Sequence, residues 1–189
     1  MLMNIFAETE RLFLREFLPT DAQGMFELDS DPEVHRYLGN KLVQSIEQSQ
    51  EMIVIIQRQY LENGIGRWAV IEKATNEFIG WAGLKLVREP INHHVDFHDV
   101  GYRFIRRYWG KGYATEAAQA SVDYGFQVLH LPMLYAIADM QNLASRAVLA
   151  KVGLRHISVF DHDGVPTAWL EAQRPAPKKG SAGGFSLTF

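Results

Sequence analysis

Tyr102-Arg-Phe-Ile-Arg-Arg-Tyr-Trp-Gly-Lys-Gly-Tyr-Ala-Thr-Glu116 decides the fold, because it carries a strand through a basic, glycine-bearing turn straight into a helix. Gly110 and Gly112 let the backbone turn with its N–H groups converging, and without a Cβ they let an anion come close. The helix starting near Tyr113 adds the positive end of its dipole, while Arg106, Arg107 and Lys111 add full charge. Such a turn suits a pyrophosphate. On these residues alone the plainer alternative stays open, a tight strand-to-helix turn whose cations only face solvent. Two other nucleotide readings fit badly. Gly110-Lys-Gly112-Tyr113 does not supply the G-x-x-x-x-G-K-[ST] of a Walker loop, and a dinucleotide turn would open a βαβαβ array and carry a third glycine where this chain has Thr115.

Upstream of that stretch, Trp68 to Glu72 and Phe78 to Val87 read as strands flanking an Ala74-Thr75-Asn76 turn, and a third strand runs over about 96–105. Arg11 to Phe17 reads as the first strand. Helices are expected over about 19–29, briefly after Ser30-Asp31-Pro32, and over 45–62, where Ser45 and Gln48 form a capping box and Asn63-Gly64 ends the run. Downstream, helical spacing from Ala114 to Leu129 predicts a helix over about 113–129, then a strand from Met133 to Met140. Asn142 to Val152 is a helix closed by Gly153. Leu154–Asp161 and Thr167–Ala172 form a last hairpin. The sum is a mixed α/β domain, mostly antiparallel, with one strand–helix–strand crossover over about 98–139 that makes a parallel neighbour.

The bulk properties agree. A chain of 189 residues suits one domain with a little to spare, and 47% apolar residues suffice for a core without disulfide or metal staples. With 19 Lys and Arg against 22 Asp and Glu, the net charge of −3 offers no broad basic field, so nucleic acid is not expected as a partner. There is no cysteine, which removes thiolate nucleophiles and suits a reducing compartment. No basic region leads into an apolar run at the N-terminus, and no apolar stretch approaches the ~20 residues that span a bilayer. A cytoplasmic protein without membrane contact is therefore expected. The domain is read as 1–172. Residues 173–189, rich in Pro and Gly, read as a loose tail, unless Phe185 and Phe189 dock on a partner chain in a homodimer.

Arg107-Tyr-Trp-Gly110-Lys-Gly112-Tyr-Ala114 resembles the Arg/Gln-x-x-Gly-x-Gly/Ala loop of the GNAT superfamily of N-acetyltransferases. Asn142-Leu-Ala-Ser145 with Lys151-Val-Gly153-Leu154 is similar to that family's later Asn-x-x-Ser and Lys-x-Gly-Phe signature, with Leu154 in place of Phe. The start, Glu10-Arg-Leu-Phe-Leu-Arg15, resembles the branch of the ribosomal-protein alanine N-acetyltransferases. The resemblance covers about residues 8–172 and implies the α/β GNAT fold. It also implies that acetyl-CoA is the cosubstrate and that acetyl passes directly to an amine acceptor, a protein N-terminus or a small molecule.

Carried onto this chain, the resemblance places the pyrophosphate on Arg107, Tyr108, Trp109, Gly110, Lys111, Gly112, Tyr113 and Ala114. The pantetheine arm would lie along Tyr102, Arg103, Phe104 and Ile105, with Asn142 and Ser145 beside it. Asp99 stands where relatives often have a catalytic Glu, which makes it the candidate base; an ordinary solvated strand-edge carboxylate is the alternative. Many relatives protonate the leaving thiolate with a Tyr where this chain has Leu149, so Ser145 is the candidate donor to the sulfur, against a purely structural first-turn serine. Asn142 is expected to cap the helix as well as to contact the coenzyme. His93, His94 and His98 read as a polar loop and not as a metal site, so no metal is expected. Trp68, Trp81 and Trp109 read as packing residues, Trp81 alternatively as a wall of the acceptor pocket. A non-catalytic acyl-CoA-binding sensor and, more distantly, a nucleotide-dependent oxidoreductase are the other classes considered.

Overall fold

In a computed structural model of the protein, residues 4–176 are described. Strands β1 (Ile5–Glu8) and β2 (Leu12–Arg15) precede helices α1 (Ala22–Ser30), α2 (Pro32–His35) and α3 (Ile46–Asn63). Strands β3 (Arg67–Glu72), β4 (Glu77–Val87) and β5 (Phe97–Phe104) follow, then α4 (Tyr113–Gln127), β6 (Met133–Asp139), α5 (Leu143–Lys151), β7 (Arg155–His162) and β8 (Val165–Gln173). One sheet takes all eight strands in the order β1-β2-β3-β4-β5-β6-β8-β7. Every neighbouring pair is antiparallel except β5 with β6, the expected parallel crossover.

Strand alternation sorts the side chains between two faces of this sheet. Trp68, Leu84, Val100, Leu134 and Leu170 are buried in the main core. Helix α4 lies over this face at Gly125, where an added Cβ would sit 3.0 Å from both Leu84 and Leu134, so the missing side chain sets the closeness of the packing. Trp68 has no exposed surface; it stacks on Phe6 at 5.0 Å and meets Tyr124 edge-on at 5.0 Å, joining β1, β3 and α4.

Three local readings need correction. The strand expected at Arg11–Phe17 is the second arm of a hairpin whose first arm, β1, lies outside the expected strands. Its turn has no Gly or Pro, and is closed instead by the Thr9 N–H to the Leu12 carbonyl and the Leu12 N–H to Thr9 Oγ1, both at 3.0 Å. The capping box is displaced by one residue: the Ser45 side chain makes no cap bond, and Gln48 Oε1 accepts the N–H of Gln44 at 2.8 Å. Trp109 is not core packing, since it is 47% exposed. At the other end β8 runs to Gln173, and the Arg174 N–H donates to the Pro132 carbonyl at 2.9 Å, so pairing reaches just past the boundary read at 172. Phe185 and Phe189 lie outside the described residues.

Removing the indole that joins these three elements should be costly. Trp68→Ala is expected to lower stability by about 3–5 kcal/mol in urea melts; a loss below about 1 kcal/mol would contradict the packing just described.

Candidate functional site

The parallel ladder between β5 and β6 holds a single residue pair, Asp99 with Tyr135. Beyond it the two strands diverge, although β5 continues to Phe104 and β6 to Asp139. A strand residue turns its N–H and C=O to the same edge, and the edge alternates along the chain. Ile105 donates to the Ile79 carbonyl at 3.0 Å on the β4 side, so Tyr102 and Phe104 turn their backbone groups into the widening gap. The Phe104 carbonyl is met there by Trp109 Nε1 at 2.7 Å. Past Asp99 and Tyr135 that edge makes no further ladder pair with β6.

At the open end of the gap, a 3-10 turn at Arg106–Tyr108 leads to Gly110 (φ 75°) and Gly112 (φ 83°), both left-handed. A Cβ at Gly110 would meet nothing within 4 Å, so the space above the turn is open. Gly112 is the N-cap of α4 and brings no side-chain cap. The amides of residues 110–115 find no acceptor among the described residues. Arg107 pairs with Glu27 and lies 4.8 Å from the Tyr108 ring centroid, with Lys111 Nζ 5.0 Å from the same centroid. The turn is anchored from below, because Tyr108 donates to Glu77 at 2.5 Å and Tyr113 to Glu72. These two phenols are therefore supports, and what positions 108 and 113 can offer a ligand is backbone. Ile105 is buried and Ala114 packs against the core, so they too shape the turn from its inner side. Open space, unpaired amides, a helix N-terminus and cations together match the needs of a diphosphate.

Asp99 stands at the vertex of the gap. Its Oδ2 is ion-paired with Arg67, whose Nη1 also donates to the Asp99 carbonyl at 2.6 Å and the Gly83 carbonyl at 2.5 Å. Burial raises the carboxyl above the usual aspartate value, with the Arg67 charge pulling the other way. Opposite, Asn142 Oδ1 accepts the Ser145 N–H at 3.0 Å, the expected cap of α5. Tyr102 reaches across, its hydroxyl donating to the Ser145 carbonyl at 2.8 Å and lying 3.1 Å from Ser145 Oγ. Burial raises that phenol well above its ordinary value, so it stays protonated. Leu149, at the position where the resemblance implies a Tyr in many relatives, is buried in the core.

The structure thus brings Asp99, Tyr102, Ser145, Asn142 and the 107–114 turn around one gap. The Arg103 side chain is turned elsewhere: it pairs with Asp29 at 2.5 Å beside His35, and lies 5.1 Å from the Trp81 ring centroid. His94 stacks on Trp169 at 4.5 Å. Sequence reasoning missed Arg67, which comes from another strand. One signal was present: Gly101 sits mid-strand, and a Cβ there would lie 2.5 Å from an Arg67 nitrogen, so the glycine makes room for the guanidinium.

The pattern that defines the Acetyltransferase (GNAT) domain matches residues 11–155. YoaA of Bacillus subtilis, an uncharacterized N-acetyltransferase, is 34% identical over 153 residues, 81% of this chain and 84% of that one. A GNAT-family acetyltransferase structure from Bacillus anthracis superposes with a TM-score of 0.74 at 25% identity, covering 92% of this chain and 99% of the other. RimL, a ribosomal L7/L12 alpha-N-protein acetyltransferase solved in complex with coenzyme A, shares the fold with a TM-score of 0.73 at 16% identity over 90% of this chain and 98% of its own. A match spanning most of the chain, on the diverging strands and the basic turn described above, makes this protein an N-acetyltransferase of the GNAT family.

Proposed function

We propose that the protein moves an acetyl group from acetyl-CoA directly to a primary amine, a protein N-terminus or a small molecule, with no covalent enzyme intermediate. The observation that carries this reading is the β5–β6 ladder that stops at Asp99 and Tyr135, with unpaired amides of the 110–115 turn at the mouth of the resulting gap. The coenzyme would supply a thioester activated toward nucleophiles. The amides around Gly110 and Gly112, with Arg107 and Lys111, hold its diphosphate; the inward backbone groups of Tyr102 and Phe104 align its pantetheine arm. Asp99 takes the proton the amine loses as the C–N bond forms; Oδ2 is the oxygen that bonds Arg67. Ser145, held by Tyr102 and the Asn142 cap, donates a hydrogen bond to the sulfur as the C–S bond breaks.

A raised carboxyl is a better base near neutral pH than an ordinary aspartate, and it protonates at a higher pH on acidification. The acid limb of kcat/KM should therefore fall above the usual aspartate range. Asp99→Asn should lower kcat by about a hundredfold or more and remove that limb; an unchanged limb would assign it to another group.

Two measurements test the donor and the reaction. Calorimetry with CoA and with NAD should show binding of CoA alone, and thiol release over a panel of amines should identify acceptors; binding of NAD without CoA would overturn the reading. Gly110→Glu adds a carboxylate to the turn at a position where an added Cβ meets nothing within 4 Å. It should abolish CoA binding while costing no more than about 1–3 kcal/mol of stability from backbone strain. Wild-type affinity in that variant would move the diphosphate elsewhere.

A further inference from the structure

Glu116 lies in the first turn of α4, beside the cradle that the reading above assigns to a diphosphate. A bare carboxylate there would repel the ligand. The structure surrounds it with donors instead: Thr9 Oγ1 at 2.6 Å, the Arg11 N–H at 3.0 Å, and the Arg11 guanidinium through Nε at 2.7 Å and Nη2 at 2.6 Å. Burial pushes the carboxyl up, but these bonds outweigh it and hold Glu116 below the usual glutamate value, so it is ionised and compensated. Nη1 of the same arginine donates to the Lys111 carbonyl at 2.9 Å, and its Cζ lies 4.4 Å from the Tyr113 ring centroid.

The C=O and N–H of one trans peptide unit point in opposite directions. Drawing the Lys111 carbonyl toward Arg11 therefore turns the Gly112 N–H away from Arg11, to the cradle side of the turn. We propose that Arg11, on the β1–β2 hairpin, is a positioning residue for coenzyme binding, which masks the Glu116 charge and orients the Lys111–Gly112 peptide toward the diphosphate. The inference rests on the proposed donor and extends the site to a residue 105 positions away from Glu116.

The test is calorimetry of CoA binding to the full-length wild type, Arg11→Ala, Glu116→Gln and the double variant, at a temperature where circular dichroism shows each folded. Arg11→Ala should weaken CoA roughly tenfold or more, as expected of one unmasked carboxylate within about 10 Å of an anion near a protein surface. The ratio of its Kd to the wild-type Kd should shrink between about 0.05 M and 0.5 M NaCl, because an exposed charge is screened whereas a packing defect is not. The double variant should recover part of the lost affinity. Wild-type CoA affinity in Arg11→Ala, a ratio indifferent to salt, or a double variant no better than Arg11→Ala would each overturn the inference. Failure of the wild type to bind CoA would instead sink the proposed donor.

Discussion

Backbone N–H and C=O groups must be paired with something, and a strand that leaves its neighbour inside a sheet exposes a row of them. Here β5 and β6 part after one pair, Asp99 with Tyr135, and the rest of the site follows from holding that parting open. Trp109 Nε1 satisfies the Phe104 carbonyl, and the Tyr102 hydroxyl spans from β5 to the first turn of α5. Arg67 braces the vertex through two carbonyls and one carboxylate. Each contact takes a group from outside the two diverging strands, so the gap is maintained by the surrounding fold and not by the strands themselves.

Charge around the site follows a repeated scheme. Arg67 compensates Asp99, Arg103 compensates Asp29, and Arg11 compensates Glu116, each across a long separation in sequence. Partly buried pairs of this kind contribute little net stability, yet losing one partner leaves an uncompensated charge. Their value here is positional. They fix the Asp99 carboxylate at the vertex, settle Arg103 beside Trp81, and tie the N-terminal hairpin to the turn before α4.

Features written in contiguous residues were legible. The glycine pair at 110 and 112, the cations around it, the Asn142 cap and the helical period of α4 all depend on neighbours within a few positions. The displaced cap at Gln44 and the unanticipated β1 show the limit of the same signals, because a polar side chain has several near-equivalent partners and a hairpin can be closed by a threonine. Trp109 departs from the expectation for a related reason: size suggests burial, but its ring stays half exposed while its N–H serves the Phe104 carbonyl.

The amino-acid sequence by itself determined the element types, the crossover, the basic turn and the family resemblance, since local sterics, periodicity and capping act within a few residues. Only the tertiary structure decided where β5 and β6 part, that Tyr102 meets Ser145, and that Arg67 and Arg11 reach Asp99 and Glu116. Those contacts depend on strand register and on helix placement over the sheet. Both are set by the packing of the whole core, and no short stretch of chain encodes them.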